Sequence, residues 1–319
     1  MKFLHNRVNK KELRKIVAAE PFRRITLSFY SYVHIENPKE LRDKLFTYWN
    51  DIKVLGRIYI AHEGINAQMS IPEPNLQAFI KHIYKNPLFK DVPIKQAVEN
   101  SSKSFFVLIV RVKKKIVADG LNDETFNPGN TGKRLDAMTF HKMVDEPTTV
   151  VVDMRNNYES EVGHFENAIC PDVDTFKDSL PKVVDDLQDK KDKNILLYCT
   201  GGIRCEKASA WLKHNGFENV FQLDGGIIQY AHEIKNQGLK SKFIGKNFVF
   251  DERMGERITE DVLGKCHSCG SASDNHVNCA NLACHTLIIQ CEKCASEMNG
   301  YCSDECHSVA TSSELTAKS

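Results

Sequence analysis

The chain has 319 residues, 41% hydrophobic and 27% charged, which is the balance of an ordinary water-soluble protein long enough for two or three domains. Its longest strongly apolar run, Phe105 to Val110, is far too short to span a bilayer, and Met1 to Arg7 lacks the apolar core of a secretion signal, so a cytoplasmic location is expected. The net charge of +1 hides an uneven split. Residues 1–150 carry 25 Lys and Arg against 16 Asp and Glu and residues 151–319 carry 18 against 26, which points to a polyanion such as nucleic acid on the N-terminal half.

Residues 1–20 read as a basic N-terminal arm or short helix. Ile25, Leu27 and Phe29 then alternate with polar neighbours as in a half-buried strand, and Leu41, Leu45, Trp49 and Ile52 follow at helical spacing. Strands are expected at Gly56–Ala61 and Asn66–Ile71, a helix around Leu76, Phe79, Ile80 and Ile83, and a last strong strand over Phe105–Val112. This β-α-β-β-α-β order predicts a ferredoxin-like (α+β), acylphosphatase-like domain over residues 21–118, with two helices on an antiparallel sheet. Residues 119–146 lack periodicity and hold Asn127-Pro128-Gly129-Asn130-Thr131-Gly132, so a linker is expected there. From Thr149 strands and helices alternate. Val150–Val152, Ile195–Tyr198 and Val220–Leu223 are strands, and Leu180–Leu187, Glu206–Asn215 and Ile227–Asn236 are helices. That pattern predicts a mainly parallel α/β domain over 147–241, with reactive groups at the C-terminal ends of its strands.

Cys199 stands at such an end, opening the loop Thr200-Gly201-Gly202-Ile203-Arg204-Cys205. A tight turn into a helix points backbone N–H groups at its first side chain, and the helix N-terminus adds positive partial charge. Cys199 is therefore expected as a thiolate, able to attack electrophiles or hold a persulfide; the plainer alternative is a structural cysteine. Arg204 would offset the sulfur's charge or form a surface salt bridge. Cys205 is either a resolving thiol or a packing residue of the first helical turn. Dual-specificity phosphatases place Arg six positions after the Cys. Here Arg204 is at the fifth and Cys205 at the sixth, a shorter loop that suits sulfur rather than phosphate. Together with Asp153-Met154-Arg155-Asn156-Asn157-Tyr158-Glu159, Gly163–Ile169 and Leu223-Asp224-Gly225-Gly226-Ile227, the loop resembles the rhodanese domain over residues 147–241. Asp153, Arg155, Glu159 and His164 are read as internal polar contacts of that domain.

Eight of the 11 cysteines fall in the last 54 residues: Cys266, Cys269, Cys279, Cys284, Cys291, Cys294, Cys302 and Cys306. Two CxxC knuckles among four pairs predict two structural zinc sites in a Cys-rich region over 242–307, paired sequentially or interleaved. His267, His276, His285 and His307 could replace single ligands, and a redox relay is the competing reading. Residues 308–319 are expected as a flexible tail.

With Gly56–Gln68, containing His62-Glu63-Gly64-Ile65-Asn66, and Gly245–Arg257, containing Phe248-Val249-Phe250-Asp251-Glu252-Arg253, the chain over about 1–306 resembles the oxygen-dependent tRNA uridine hydroxylases. The resemblance implies an oxidoreductase that converts the wobble uridine, position 34, to 5-hydroxyuridine, with Cys199 as essential thiol, O2 as co-substrate, an unidentified electron donor, and the tRNA anticodon loop as partner. Lys10, Lys11, Arg14, Lys15, Arg23 and Arg24 are then candidates for phosphate contacts, each otherwise an ordinary solvated charge. The sequence carries no flavin or nicotinamide fingerprint and no evident two-His-one-carboxylate iron site. Two other readings are a sulfurtransferase carrying sulfane sulfur on Cys199, and a non-catalytic RNA-binding scaffold.

Overall fold

A computed structural model describes residues 9–99, 104–281 and 283–316. The basic arm is helix α1 (Lys10–Ala18), started by the Asn9 side chain accepting from the Glu12 amide; the first eight residues of the expected arm lie outside the described residues.

The first domain contains β1 (Arg24–Tyr32), α2 (Pro38–Asp51), β2 (Leu55–Ala61), β3 (Gly64–Pro72), α3 (Leu76–Lys85), β4 (Lys95–Gln96) and β5 (Leu108–Val112). Its sheet runs β4-β1-β3-β2-β5. Alternation decides the layering. Ile25, Leu27 and Phe29 of β1 join Ile58, Ile60, Ile65, Ala67 and Met69 in a core closed by Leu45 and Trp49 of α2 and Phe79 and Ile83 of α3. One expectation is corrected. The strand that closes the ferredoxin-like plan beside β1 is the two-residue β4, whereas β5 docks parallel to β2 on the opposite edge, with Gly56 beside Leu108. Apolar strength marked β5 as a strand but carried no information about which edge it joins.

The second domain contains β6 (Lys133–Leu135), α4 (Ala137–Met143), β7 (Thr149–Asp153), α5 (Asn157–Ser160), β8 (Gly163–Phe165), α6 (Phe176–Asp186), β9 (Asn194–Tyr198), α7 (Ile203–His214), β10 (Val220–Leu223) and α8 (Gly226–Asn236). The parallel sheet runs β6-β10-β9-β7. Leu180, Val183, Ile195, Leu197, Ala208 and Leu212 fill the layer under α6 and α7. Phe140, Leu196, Tyr198, Ile227 and Tyr230 fill the opposite layer under α4 and α8. Both faces are thus covered, as a parallel sheet requires.

Residues 119–146 are not a free linker, because they supply the edge strand β6 and helix α4. Their turn-rich part is pinned to α7 by Lys213 donating to Asn130 (2.7 Å), by the Gly132 amide donating to Ser209 (2.8 Å), and by Phe126 packed edge-on against Trp211. Short elements stabilised by a neighbouring helix leave little periodicity to read. Strand pairing continues across the expected boundary at 241/242. Strand β11 (Phe243–Asn247) pairs antiparallel with β8, and β12 (Glu256–Arg257) pairs with β11, so this stretch belongs to the second domain's flank. The cysteine-rich end contains β13 (His276–Asn278), β14 (Leu287–Ile289), α9 (Glu292–Glu297) and α10 (Asp304–Thr316). Helix α10 occupies most of the expected flexible tail, and residues 317–319 lie outside the described residues.

Candidate active site

Cys199 follows β9 directly and is fully buried. Helix α7 starts at Ile203 rather than the expected Glu206, which places Arg204 and Cys205 in its first turn beneath the sulfur. The Gly202 amide donates to Cys199 Sγ at 3.2 Å. Burial alone would push this thiol up. It is outweighed by the Cys205 S–H donating to the sulfur, by the Arg204 charge and by the amides of Arg204 and Cys205, which together hold Cys199 down at about 5. Cys205 moves the opposite way, raised by its own burial and by donating to the Cys199 anion. The two shifts run in opposite directions, so Cys199 is the thiol of the pair that ionises first.

Two glycines make the cradle possible. Gly202 has φ +98°, and a side chain there would meet the Tyr30 hydroxyl. Gly226 has φ +66°, and a Cβ would come within 2.5 Å of the Cys199 carbonyl oxygen. That close approach lets the amides of Ile227 and Ile228 donate to the carbonyls of Cys199 and Thr200 (3.0 and 3.2 Å), which turns the loop's carbonyls away from the sulfur.

Arg204 is a buried residue, not a surface one. Its guanidinium meets both Glu159 carboxylate oxygens, Nη1 to Oε1 at 2.5 Å and Nη2 to Oε2 at 2.9 Å, and donates to Thr200 Oγ1 at 3.3 Å. The carboxylate fixes the fork's position, leaving the cation to act on Cys199 through space. Arg155 and Asp153 form a second buried pair (2.6 Å) that also reaches the Gly163 carbonyl, consistent with internal roles.

The other wall comes from the first domain. The β-sheet face turned away from its helices carries Thr26, Ser28 and Tyr30 of β1, Arg57 and Tyr59 of β2, and Asn66 and Gln68 of β3. This face looks onto the Cys199 loop across a cavity of about 410 Å³. Lys95 of β4 and Phe250, Asp251 and Arg253 of the segment after β11 complete the lining. The domains are clamped beside it. Lys207 of α7 pairs with Glu63 (2.8 Å) and with Asp119, and Glu206 accepts from Tyr30 (2.9 Å), Arg134 (2.8 Å) and Gln222 (3.0 Å). Sequence reasoning missed Tyr30, Arg57, Gln68 and Lys95. The polar alternate positions of β1 and β3 carried a signal, but it read as a solvent-facing side.

Of the candidate phosphate contacts, Lys11, Arg14, Lys15 and Arg23 are exposed, and Arg14 pairs with Glu252 at 2.6 Å. Lys10 lies on α1. Arg24 is corrected: it is 2% exposed, with four of its five N–H groups donating to Glu20 (2.6 and 2.7 Å) and to the carbonyls of Lys53 and Ser70, so it is not presented to a phosphate.

The eight C-terminal cysteines form two groups, Cys266, Cys269, Cys291 and Cys294, and Cys279, Cys284, Cys302 and Cys306, with all sulfurs of a group within 4.8 Å of one another. The grouping is interleaved, and among the described residues no histidine joins either group. Sulfurs bound at about 2.3 Å around one tetrahedral ion stand about 3.8 Å apart. Cys269–Cys291 and Cys284–Cys302 are at 3.8 Å and Cys279–Cys306 at 3.5 Å, so both groups fit a metal ion. No described helix is long and apolar enough to cross a membrane.

Three family models match the chain: the UPF0176 acylphosphatase like domain over 24–116, the Rhodanese-like domain over 136–233 and the Rhodanase C-terminal over 244–307. The tRNA uridine(34) hydroxylase of Photorhabdus laumondii is 53% identical over 307 residues, spanning 96% of this chain and 87% of that protein. Its namesake in Leptospira interrogans is 55% identical over 306 residues, spanning 96% and 83%. With more than half of the residues shared across nearly the full length, this chain belongs to the tRNA uridine(34) hydroxylase family.

Proposed function

We propose that the chain is a tRNA-modifying oxidoreductase that hydroxylates the wobble uridine at C5, with Cys199 as its essential sulfur. The names of its relatives support the reaction and the substrate. The observation that carries the residue assignment is the shared cavity. An ionised sulfur forms part of one wall, and polar and aromatic side chains of a separate domain form the other. Anticodon-loop bases are single-stranded and are unstacked at small cost, so a base turned out of the loop can enter such a space. In this reading Thr200, Gly201, Gly202 and Ile203 form the cradle and Arg204 keeps the sulfur charged. O2 is co-substrate, and an external donor supplies electrons. Lys10, Lys11, Arg14, Lys15 and Arg23 meet anticodon-stem phosphates, and the protein works in the cytoplasm.

Each cysteine group holds one structural zinc ion. Four thiolates leave no open coordination position, so the metal's contribution is folding energy for a segment poor in large apolar side chains. A sulfurtransferase reading is kept because Cys199 is fully buried: a sulfane sulfur on it would carry the reacting atom outward into the cavity.

The test is nucleoside mass spectrometry on tRNA from cells lacking the protein, complemented with wild type or Cys199→Ser. Restoration of 5-hydroxyuridine by wild type alone is expected. Equal restoration by both removes Cys199 from the mechanism, and loss of a thiolated nucleoside instead transfers the case to sulfur transfer.

A further inference from the structure

The cavity contains a cation that none of the foregoing uses. Lys95 enters from β4, is 8% exposed, and holds its Nζ 4.7 Å from the centroid of the Tyr30 ring. Among the described residues its ammonium makes no ion pair or hydrogen bond, unlike that of Lys207 on the neighbouring helix, which has two carboxylates. An ammonium held against an aromatic ring with little solvent around its stem gives up part of its hydration, and a site that keeps one without a bonded carboxylate has a use for it. Burial draws its proton affinity down, while the charges of Asp224, Cys199 and Glu206 hold it up. Tyr30 joins them: its ring lies under the Lys95 ammonium, and its hydroxyl stands where a side chain at Gly202 would be. An anion and a cation therefore line one cavity.

Uracil is built to bridge such a pair. Its C6 accepts nucleophiles, and the electron pair displaced from C5=C6 is delocalised onto the C4 carbonyl oxygen. Resting on the assignment of the wobble uridine to this cavity, we propose that the Cys199 sulfur adds to C6 of the uracil ring and that the Lys95 ammonium receives the enolate oxygen O4 so formed. The S–C6 bond forms as the C5=C6 π pair moves through C5 to O4. A solvent proton can then join C5. Loss of either C5 hydrogen returns the pair, re-forms C5=C6 and expels the sulfur. Nothing is oxidised or reduced in this cycle, and its product between addition and expulsion is a C5 carbon rich enough in electrons to take up oxygen. Lys95 supplies the fixed charge where negative charge develops, which a site partly shielded from solvent makes stronger than it would be in water. As a donor-only group it also disfavours the amino group that cytosine carries at C4.

The test needs no oxygen and no electron donor. Full-length protein and tRNA are incubated anaerobically in D2O, and deuterium at C5 of U34 is read by mass spectrometry of the digested tRNA. Wild type is expected to exchange that hydrogen, Cys199→Ser to abolish exchange, and Lys95→Met to slow it about a hundredfold with tRNA binding retained. Lys95→Arg, which keeps the charge, should recover part of the rate, which a merely structural role for Lys95 would not produce. Thermal melting of both variants identifies any folding failure, and Lys95→Gln then replaces a variant that does not fold. A protein that restores 5-hydroxyuridine in cells yet leaves the C5 hydrogen in place overturns the addition step alone. Unchanged exchange in Lys95→Met overturns the role of Lys95. Absence of both exchange and hydroxylation overturns the substrate assignment, and this step with it.

Discussion

Replacing Cys205 by alanine tests what keeps Cys199 ionised. Cys205 donates its S–H to the Cys199 anion and is fully buried beneath it in the first turn of α7. A hydrogen bond to a charged acceptor contributes about 1.5–3 kcal/mol, and 1.36 kcal/mol corresponds to one pH unit of ionisation midpoint, roughly. Cys199, which now titrates at about 5, should therefore titrate about one to two pH units higher in Cys205→Ala. The assay is the pH dependence of modification by methyl methanethiosulfonate, followed by mass spectrometry on the peptide that contains Cys199. Cys205→Ser is the control: its hydroxyl keeps a donor in place, so its midpoint should stay nearer to wild type. The alanine variant also loses a sulfur's worth of packing, about 1 kcal/mol, which denaturation reports separately. A Cys205→Ala midpoint that coincides with wild type would refute the reasoning and leave Arg204 and the loop amides as the whole cause.

Gly226→Ala should disable the site without touching the sulfur: at φ +66° and 2.5 Å from the Cys199 carbonyl oxygen, the added methyl forces the loop to move. Loss of 5-hydroxyuridine in complemented cells, with stability reduced by about 1–3 kcal/mol, is the expected result. Lys207→Met removes the cation shared by Glu63 and Asp119 and should cost about 3 kcal/mol in urea denaturation, whereas Arg24→Gln should lower stability yet leave the salt dependence of tRNA binding unchanged. Zinc analysis separates the two pairings. With the interleaved groups, Cys266→Ser combined with Cys291→Ser retains one metal site while Cys266→Ser combined with Cys279→Ser loses both, and sequential pairing requires the reverse.

The Cys199 loop and its surroundings were legible because their pattern is local. Cys199, the glycines after it, Arg204 and Cys205 occupy seven consecutive positions, and a strand entering a helix through two glycines leaves the chain few ways to turn. The clustered thiols were legible as a set because cysteines at CxxC spacing suit a tetrahedral ion. Their partition was not, since sequential and interleaved pairings satisfy the same spacing and differ only in which knuckle folds back on which.

The sequence by itself determined the α+β and α/β character of the two domains, the cysteine at the end of β9 and the eight clustered C-terminal thiols, because periodicity and short motifs act within one or two elements. Only the tertiary structure decided that the polar face of the first sheet is covered by the Cys199 loop, that β5 joins the far edge, that Arg24 is internal, and that Lys95 faces the same cavity as the sulfur. A polar alternate row on a strand is equally stable against water and against a second domain with matching charges. What separates the two outcomes is the Lys207, Glu206 and Tyr30 contacts, made between residues more than a hundred positions apart. No local pattern records a contact of that range, because its energy exists only once both domains have folded.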